Sequence, residues 1–282
     1  MKQIVSKFVL FFIVMGIVAG VGFADERTIS LQSYFIDNFD NGQNGQRSAS
    51  QADGRVYDWK VQGSAFSLQA NDPGSDGIAY PRQQMVNTWP ASLLGNTPSN
   101  SSDLYVLGIY GKFKSNRSYN WIDVYPTLAG GDGSPATIEM RGRVKSIDIW
   151  LWNANHNFSI SAYFKDHNGI VYNLPMGSIR HNGWANVKVD IPTNIPQTKE
   201  TMPKLANLEL VKFRILTAPN SDVKDFQIYI DEIKALSDVF ETVYDGNDLT
   251  LPSTIQQIWG TGNTEAGPAA GGATTEAPAA QQ

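Results

Sequence analysis

Phe158, Ile160, Ala162 and Phe164 alternate with Ser159, Ser161, Tyr163 and Lys165. A period of two sends the first set to one side of a β-strand and the second set to the other. Val187, Val189 and Ile191 alternate in the same way with Asn186, Lys188 and Asp190. So do Val211, Phe213 and Ile215 with Lys212 and Arg214, and Phe226, Ile228 and Ile230 with Gln227, Tyr229 and Asp231. Further strand-like runs cover 104–113, 119–125 and 144–152. Turn signals separate the runs. Asp166-His167-Asn168-Gly169 ends in the Asn-Gly pair of a tight hairpin, whose two turn positions call for positive φ. Residues 155–157, Asn182-Gly183 and 218–222 read as further turns. No amphipathic helix exceeds two turns, and 87–94, 197–206 and 253–259 are the short candidates. About ten short strands without helical crossovers predict an all-β fold: an antiparallel β-sandwich of the jelly-roll kind.

The ends of the chain differ from its middle. Lys2 and Lys7 precede an apolar run from Phe8 to Phe23, and Ala24 then meets Asp25 and Glu26. A basic start, an apolar centre and small residues before the charge describe a secretory signal peptide over 1–24, cleaved after Ala24. The run is short for a bilayer span, which takes about 20 residues. Residues 25–259 form the predicted sandwich domain. Within it, 40–54 reads as a long polar loop and 71–100 as a connection of Pro, Gly and scattered apolar residues. Residues 260–282 have a Gly/Ala/Pro/Thr composition that buries too little to offset ordering entropy, which predicts a disordered tail.

Composition removes several chemistries. The chain has no cysteine, which excludes disulfides, thiol catalysis and cysteine-held metals. Its formal charge of −5 becomes −7 once Lys2 and Lys7 leave with the signal segment. That balance argues against nucleic acid, which calls for clustered Lys and Arg. Charged residues make up 17%, low for a soluble domain, as suits a protein that packs against something. No nucleophile-elbow, phosphate-loop or zinc-protease motif occurs. His156, His167 and His181 fall in predicted turns at both ends of the sandwich, so they cannot converge on one centre. Glu139, Glu209, Glu232, Asp123 and Asp148 lie in strands without the pairing a glycosidase needs. No catalytic set is expected. Asp37 and Asp40 at the first strand and Asp231 in the last could meet if those strands are neighbours, giving oxygen ligands for a structural calcium ion.

The aromatic pattern is the most informative. Trp150 and Trp152 share the face opposite Ile147, Ile149 and Leu151, so that strand is apolar on both sides. Tyr163 lies on the polar face of the next strand, and Trp184 follows a turn. Either a second layer covers these rings, or they form a platform for another protein or for sugar rings.

The stretches GKFKSNRSYNWIDVYP (111–126), RGRVKSIDIWLW (141–152), DHNG, GSIRHNGW (177–184) and VDIP (189–192) follow one another in an order that resembles a known family. LELVKFRI (208–215), IYIDEIKAL (228–236), YFIDNFDN (34–41), Trp59 and Tyr80-Pro81 fit the same pattern. It resembles the outer-layer, or sheath, proteins of spirochaete periplasmic flagella. The resemblance covers about residues 34–237 and implies a galactose-binding-like β-sandwich that coats a flagellin core in the periplasm. It also implies no enzymatic activity, with core flagellin, other sheath proteins and further copies of the chain as partners. The alternative is a periplasmic or secreted carbohydrate-binding module that uses the same aromatic residues.

Overall fold

The computed structural model of the chain describes residues 30–42, 45–197, 207–239 and 258–259. The signal segment, the tail after 259 and most of the helix candidates at 197–206 and 253–259 lie outside these residues. Among the described residues are twelve strands, one short helix, α1 (Ala91–Leu94), and a helical pair at 258–259.

Two antiparallel sheets of six strands make the sandwich. The first runs in the order β10 (Asn182–Asp190), β7 (Arg143–Ala154), β12 (Phe226–Asp238), β4 (Val106–Gly111), β3 (Arg82–Val86). β12 is long enough to hold two partners on one edge. β4 pairs with its first half, and β1 (Leu31–Asp37) pairs with its second half. A bulge at Asp231 and Glu232 separates the two halves, and Glu232 takes φ 51°. The second sheet runs β2 (Tyr57–Gly63), β5 (Trp121–Leu128), β11 (Glu209–Thr217), β8 (Phe158–Lys165), β9 (Val171–Ser178). β6 (Ile138–Glu139) pairs with the start of β11.

The alternation read from the sequence sets the inner faces. Ile147, Ile149 and Leu151 of β7, Ile228 and Ile230 of β12, and Ile160, Ala162 and Phe164 of β8 are buried between the sheets. Aromatic rings join the two layers. Phe158 of β8 stands edge-on to Phe226 of β12, with centroids 5.0 Å apart, and Trp59 of β2 lies between Phe39 and Phe213. Burying so many large apolar side chains, each worth about 1.5–3 kcal/mol, is what holds a charge-poor chain together.

Three local expectations change. The turn after β8 has a single positive φ, at Gly169. The Gly169 amide bonds to the Asp166 carbonyl, and the Asp166 amide bonds to the Ile170 carbonyl, which makes a three-residue loop closed by a glycine bulge. Asn182-Gly183 belongs to β10, where the two residues pair with Ala154 and Asn153. The connection over 71–100 contains β3, an edge strand whose Arg82, Gln83 and Gln84 give no apolar alternation to read.

Candidate interaction face

The outer face of the first sheet gathers most of the aromatic residues singled out above. Trp152 of β7 sits directly across from Trp184 of β10, and on its other side it is opposite Tyr229 of β12. Trp150 is opposite Asn186 and Asp231. Trp150, Trp152, Trp184 and Tyr229 are all half-buried, so among the described residues no second layer covers them. The next positions across the sheet are Gly108 of β4 and Gln84 of β3. The face therefore grades from indoles at β10 and β7 to a polar groove at β4 and β3.

Tyr163 does not join them, which corrects the single platform of four rings. The sequence places β7 and β8 next to each other, but the turn over 155–157 carries the chain from one sheet to the other. Asn155 takes φ 61° there, and its amide bonds to the His181 carbonyl. Tyr163 consequently faces outward from the second sheet, on the far side of the sandwich. Its neighbours are charged. Lys212 Nζ lies 5.0 Å from the centre of its ring, and the Arg214 guanidinium lies 5.5 Å away and 4.6 Å over Trp121. Both cations donate to Asp123, Lys212 at 2.7 Å and Arg214 at 2.5 and 2.7 Å. Among the described residues the two outer faces thus differ: three half-buried indoles without cations over them on one, and on the other an ionic cluster at Asp123 whose cations lie over Trp121 and Tyr163.

The three aspartates proposed for calcium come into one neighbourhood, because β1 does pair with β12. Their oxygens have other partners. Asp37 accepts from Arg47 at 2.6 Å, from Trp59 Nε1 at 2.8 Å and from the Phe39 amide at 2.8 Å. Asp40 accepts from the Tyr105 amide and from Asn38, and Asp231 accepts from the Glu232 amide. Among the described residues no three acidic or histidine side chains are arranged to hold a metal ion. Burial, then the nearby Glu232 carboxylate, pushes Asp231 up to about 9, and burial raises Asp40 to about 6. Asp231 is therefore a neutral acid at pH 7. His156 lies against Phe158 and Phe226, and His167 is in the hairpin beyond β8, so the histidines do not form a centre.

Sequence reasoning missed Gly108, Tyr110, Tyr229 and the groove beside them. Tyr229 was visible on the same logic as Trp152, as an aromatic residue at an outward position of an otherwise alternating strand. Gly108 interrupts an apolar run, which was the available signal for a gap. Arg82 and Gln84 gave none.

The sequence profile of the family described as flagellar filament outer layer protein FlaA matches residues 89–244, more than half of the chain. The chain belongs to this family. The matched stretch begins before α1 and includes β4 to β12, and with them all four half-buried rings of the face. A protein of Brachyspira hyodysenteriae named as flagellar filament outer layer-like is 24% identical over 159 residues, 56% of this chain and 68% of its own. A flagellar filament outer layer protein of Borreliella burgdorferi is 23% identical over 131 residues, 43% of this chain and 38% of its own. Among solved structures, TmCBM61 in complex with β-1,4-galactotriose is 11% identical with a TM-score of 0.33, covering 64% of this chain and 88% of its own. The family 11 module of Lic26A-Cel5E of Clostridium thermocellum is 12% identical with a TM-score of 0.34, covering 73% and 95%. Likenesses at that level reach neither ligand nor function.

Proposed function

We propose that this outer layer protein is a structural subunit of the sheath of a periplasmic flagellar filament. It is exported, freed of residues 1–24, and packs on the flagellin core and on neighbouring sheath subunits, including copies of itself. In that position it contributes to the shape and stiffness of the filament and so to motility. Membership of the flagellar filament outer layer family is the observation that carries this reading. Two further features support it. The outer indoles of β7 and β10 offer the rigid, amphipathic area that dominates protein contacts. The opposite face has a different chemistry, so one subunit can present unlike surfaces to core and neighbour.

The contact is placed on Trp150, Trp152 and Trp184, with Tyr163 as part of the separate second face. The test is quantitative mass spectrometry of purified periplasmic flagella beside the soluble periplasmic fraction. The expected result is enrichment of this chain in stoichiometric amounts with flagellin, as a species whose first residue is Asp25. Recovery in the soluble fraction alone overturns the reading.

A further inference from the structure

β4 carries two glycines, and an aromatic residue of β12 faces each. Gly111 faces the core, where a Cβ would lie 2.1 Å from Cζ of Phe226, so its slot is full. Gly108 faces outward beside Tyr229. A Cβ there would meet Val86 Cγ2 at 3.0 Å, the Gln84 carbonyl at 3.2 Å and Tyr229 Cε1 at 3.2 Å. Above it the surface stays open as a groove of about 230 Å³.

No backbone demand explains this glycine. Gly108 is not in the left-handed region, and β4 pairs through it without a bulge on either side. A glycine inside a regular strand weakens it and often marks a close approach to the backbone; here the approaching groups are Val86 and the Tyr229 ring, which with Gly108 form the floor of the groove.

The lining gives the chemistry of that molecule. Tyr110 and Tyr229 supply aromatic rings, Gln84 and Gln227 supply amides, and Arg82 supplies a guanidinium. Among the described residues no carboxylate lines the groove and Arg82 is its one lining cation, with Lys112 and Asp225 reaching Tyr110 at its edge, so it is poorly matched to a multiply charged phosphate. Its aliphatic side chains are Val86 and Ile109 alone, few for an apolar peptide anchor. Amides that both donate and accept, beside an aromatic ring, suit a ligand with many hydroxyls and one apolar face. That describes a pyranose ring. We propose that the groove over Gly108 binds one ring of a neutral oligosaccharide, stacked on Tyr229 and hydrogen-bonded by Gln84, Gln227 and Arg82. The site does not depend on the sheath reading: it lies on the β3 and β4 side of Tyr229, whose other edge meets the Trp152 indole.

The test titrates the purified mature chain with β-1,4-linked gluco-, manno- and galacto-hexaoses and with N,N′-diacetylchitobiose, all neutral, by calorimetry. Saturable binding of at least one probe is expected. Gly108→Val and Gln227→Ala are each expected to weaken it about tenfold or more, and Tyr163→Ala, on the far face, to leave it unchanged. Gln227→Ala alters one surface amide and keeps the test valid if Gly108→Val does not fold. Absence of saturation by every probe overturns the proposal, as does undiminished binding by both groove variants. Loss of filament association in Gly108→Val without any sugar binding by the natural chain also overturns it and makes the groove a protein contact. Filament enrichment of the natural chain is read separately, so failure here leaves the sheath reading standing.

Discussion

The Trp152 indole stands edge-on to the Tyr229 ring, with centroids 5.3 Å apart and planes at 71°. The two residues are cross-strand partners on β7 and β12, and Trp184 completes the row on the other side of Trp152. Edge-to-face pairs of this kind contribute about 0.5–1.5 kcal/mol beyond the area they bury. Neither ring is fully covered, so part of that area is still available to a partner. Trp152→Ala is therefore expected to reduce co-sedimentation with purified filaments at least tenfold, as loss of an interface anchor does. Its thermal midpoint should fall by only a few degrees. Tyr163→Ala should affect filament binding differently from Trp152→Ala, because the two residues belong to opposite faces. Equal effects of both, or none from either, would remove these residues from the contact.

Most of the sandwich was legible because each β-strand carries its burial in a period of two. β7, β8, β11 and β12 were all found that way. What the period cannot carry is which strands are neighbours. Trp152 and Tyr163 are eleven residues apart on two consecutive strands, yet the turn over 155–157, with Asn155 in the left-handed region, carries the chain between them from one sheet to the other. Edge strands were also hidden. β3 presents Arg82, Gln83 and Gln84 because one of its margins has no partner strand, and such positions are free to be polar. The groove lies where β3, which the period did not reveal, meets β4 and β12, so it emerged only from their pairing.

Arg47 holds Asp37 in place. The aspartate is buried, and the arginine donates to it at 2.6 Å while lying 5.4 Å over the Phe39 ring. Removing one member of a buried ion pair strands the other and costs about 3–5 kcal/mol. Arg47→Ala should approach that loss in urea denaturation. Adding Asp37→Asn should restore part of it, because an amide needs no counter-charge. A double variant no more stable than Arg47→Ala would show that the stacking on Phe39, and not the charge, is what matters.

Asp231 should make the protein less stable as pH rises. In an unfolded chain its carboxyl titrates near 4; in the fold, burial and then Glu232 push it up to about 9. Between these values the folded state binds more protons than the unfolded one. The stabilising contribution is complete below about pH 4 and is lost as pH climbs toward 9. Asp231→Asn removes this dependence. The variant should be more stable than the natural protein by about 1–3 kcal/mol at pH 8, and nearly equal to it at pH 4. The same melts run with calcium and with EDTA separate a second possibility. A calcium site at Asp37, Asp40 and Asp231 would reverse the effect, with Asp231→Asn lowering the midpoint in calcium alone.

Gly111 and Phe226 give the sharpest test of the core. They are direct cross-strand partners, and the phenyl ring occupies the volume that a Cβ at 111 would need. The ring has little freedom to yield. It is stacked on Phe113 at 5.8 Å, edge-on to Phe158 at 5.0 Å and to His156 at 5.9 Å, and it is fully buried. A methyl group forced into so well packed a site costs about 1–3 kcal/mol, and the higher figure applies where neighbours cannot move. Gly111→Ala should lose that amount in chemical denaturation. Phe226→Leu alone should also destabilise, by opening a cavity. In the double variant the new methyl enters the space the ring has left, so the combined loss should be smaller than the sum of the two. Simple additivity would mean that the steric conflict lies elsewhere in β4.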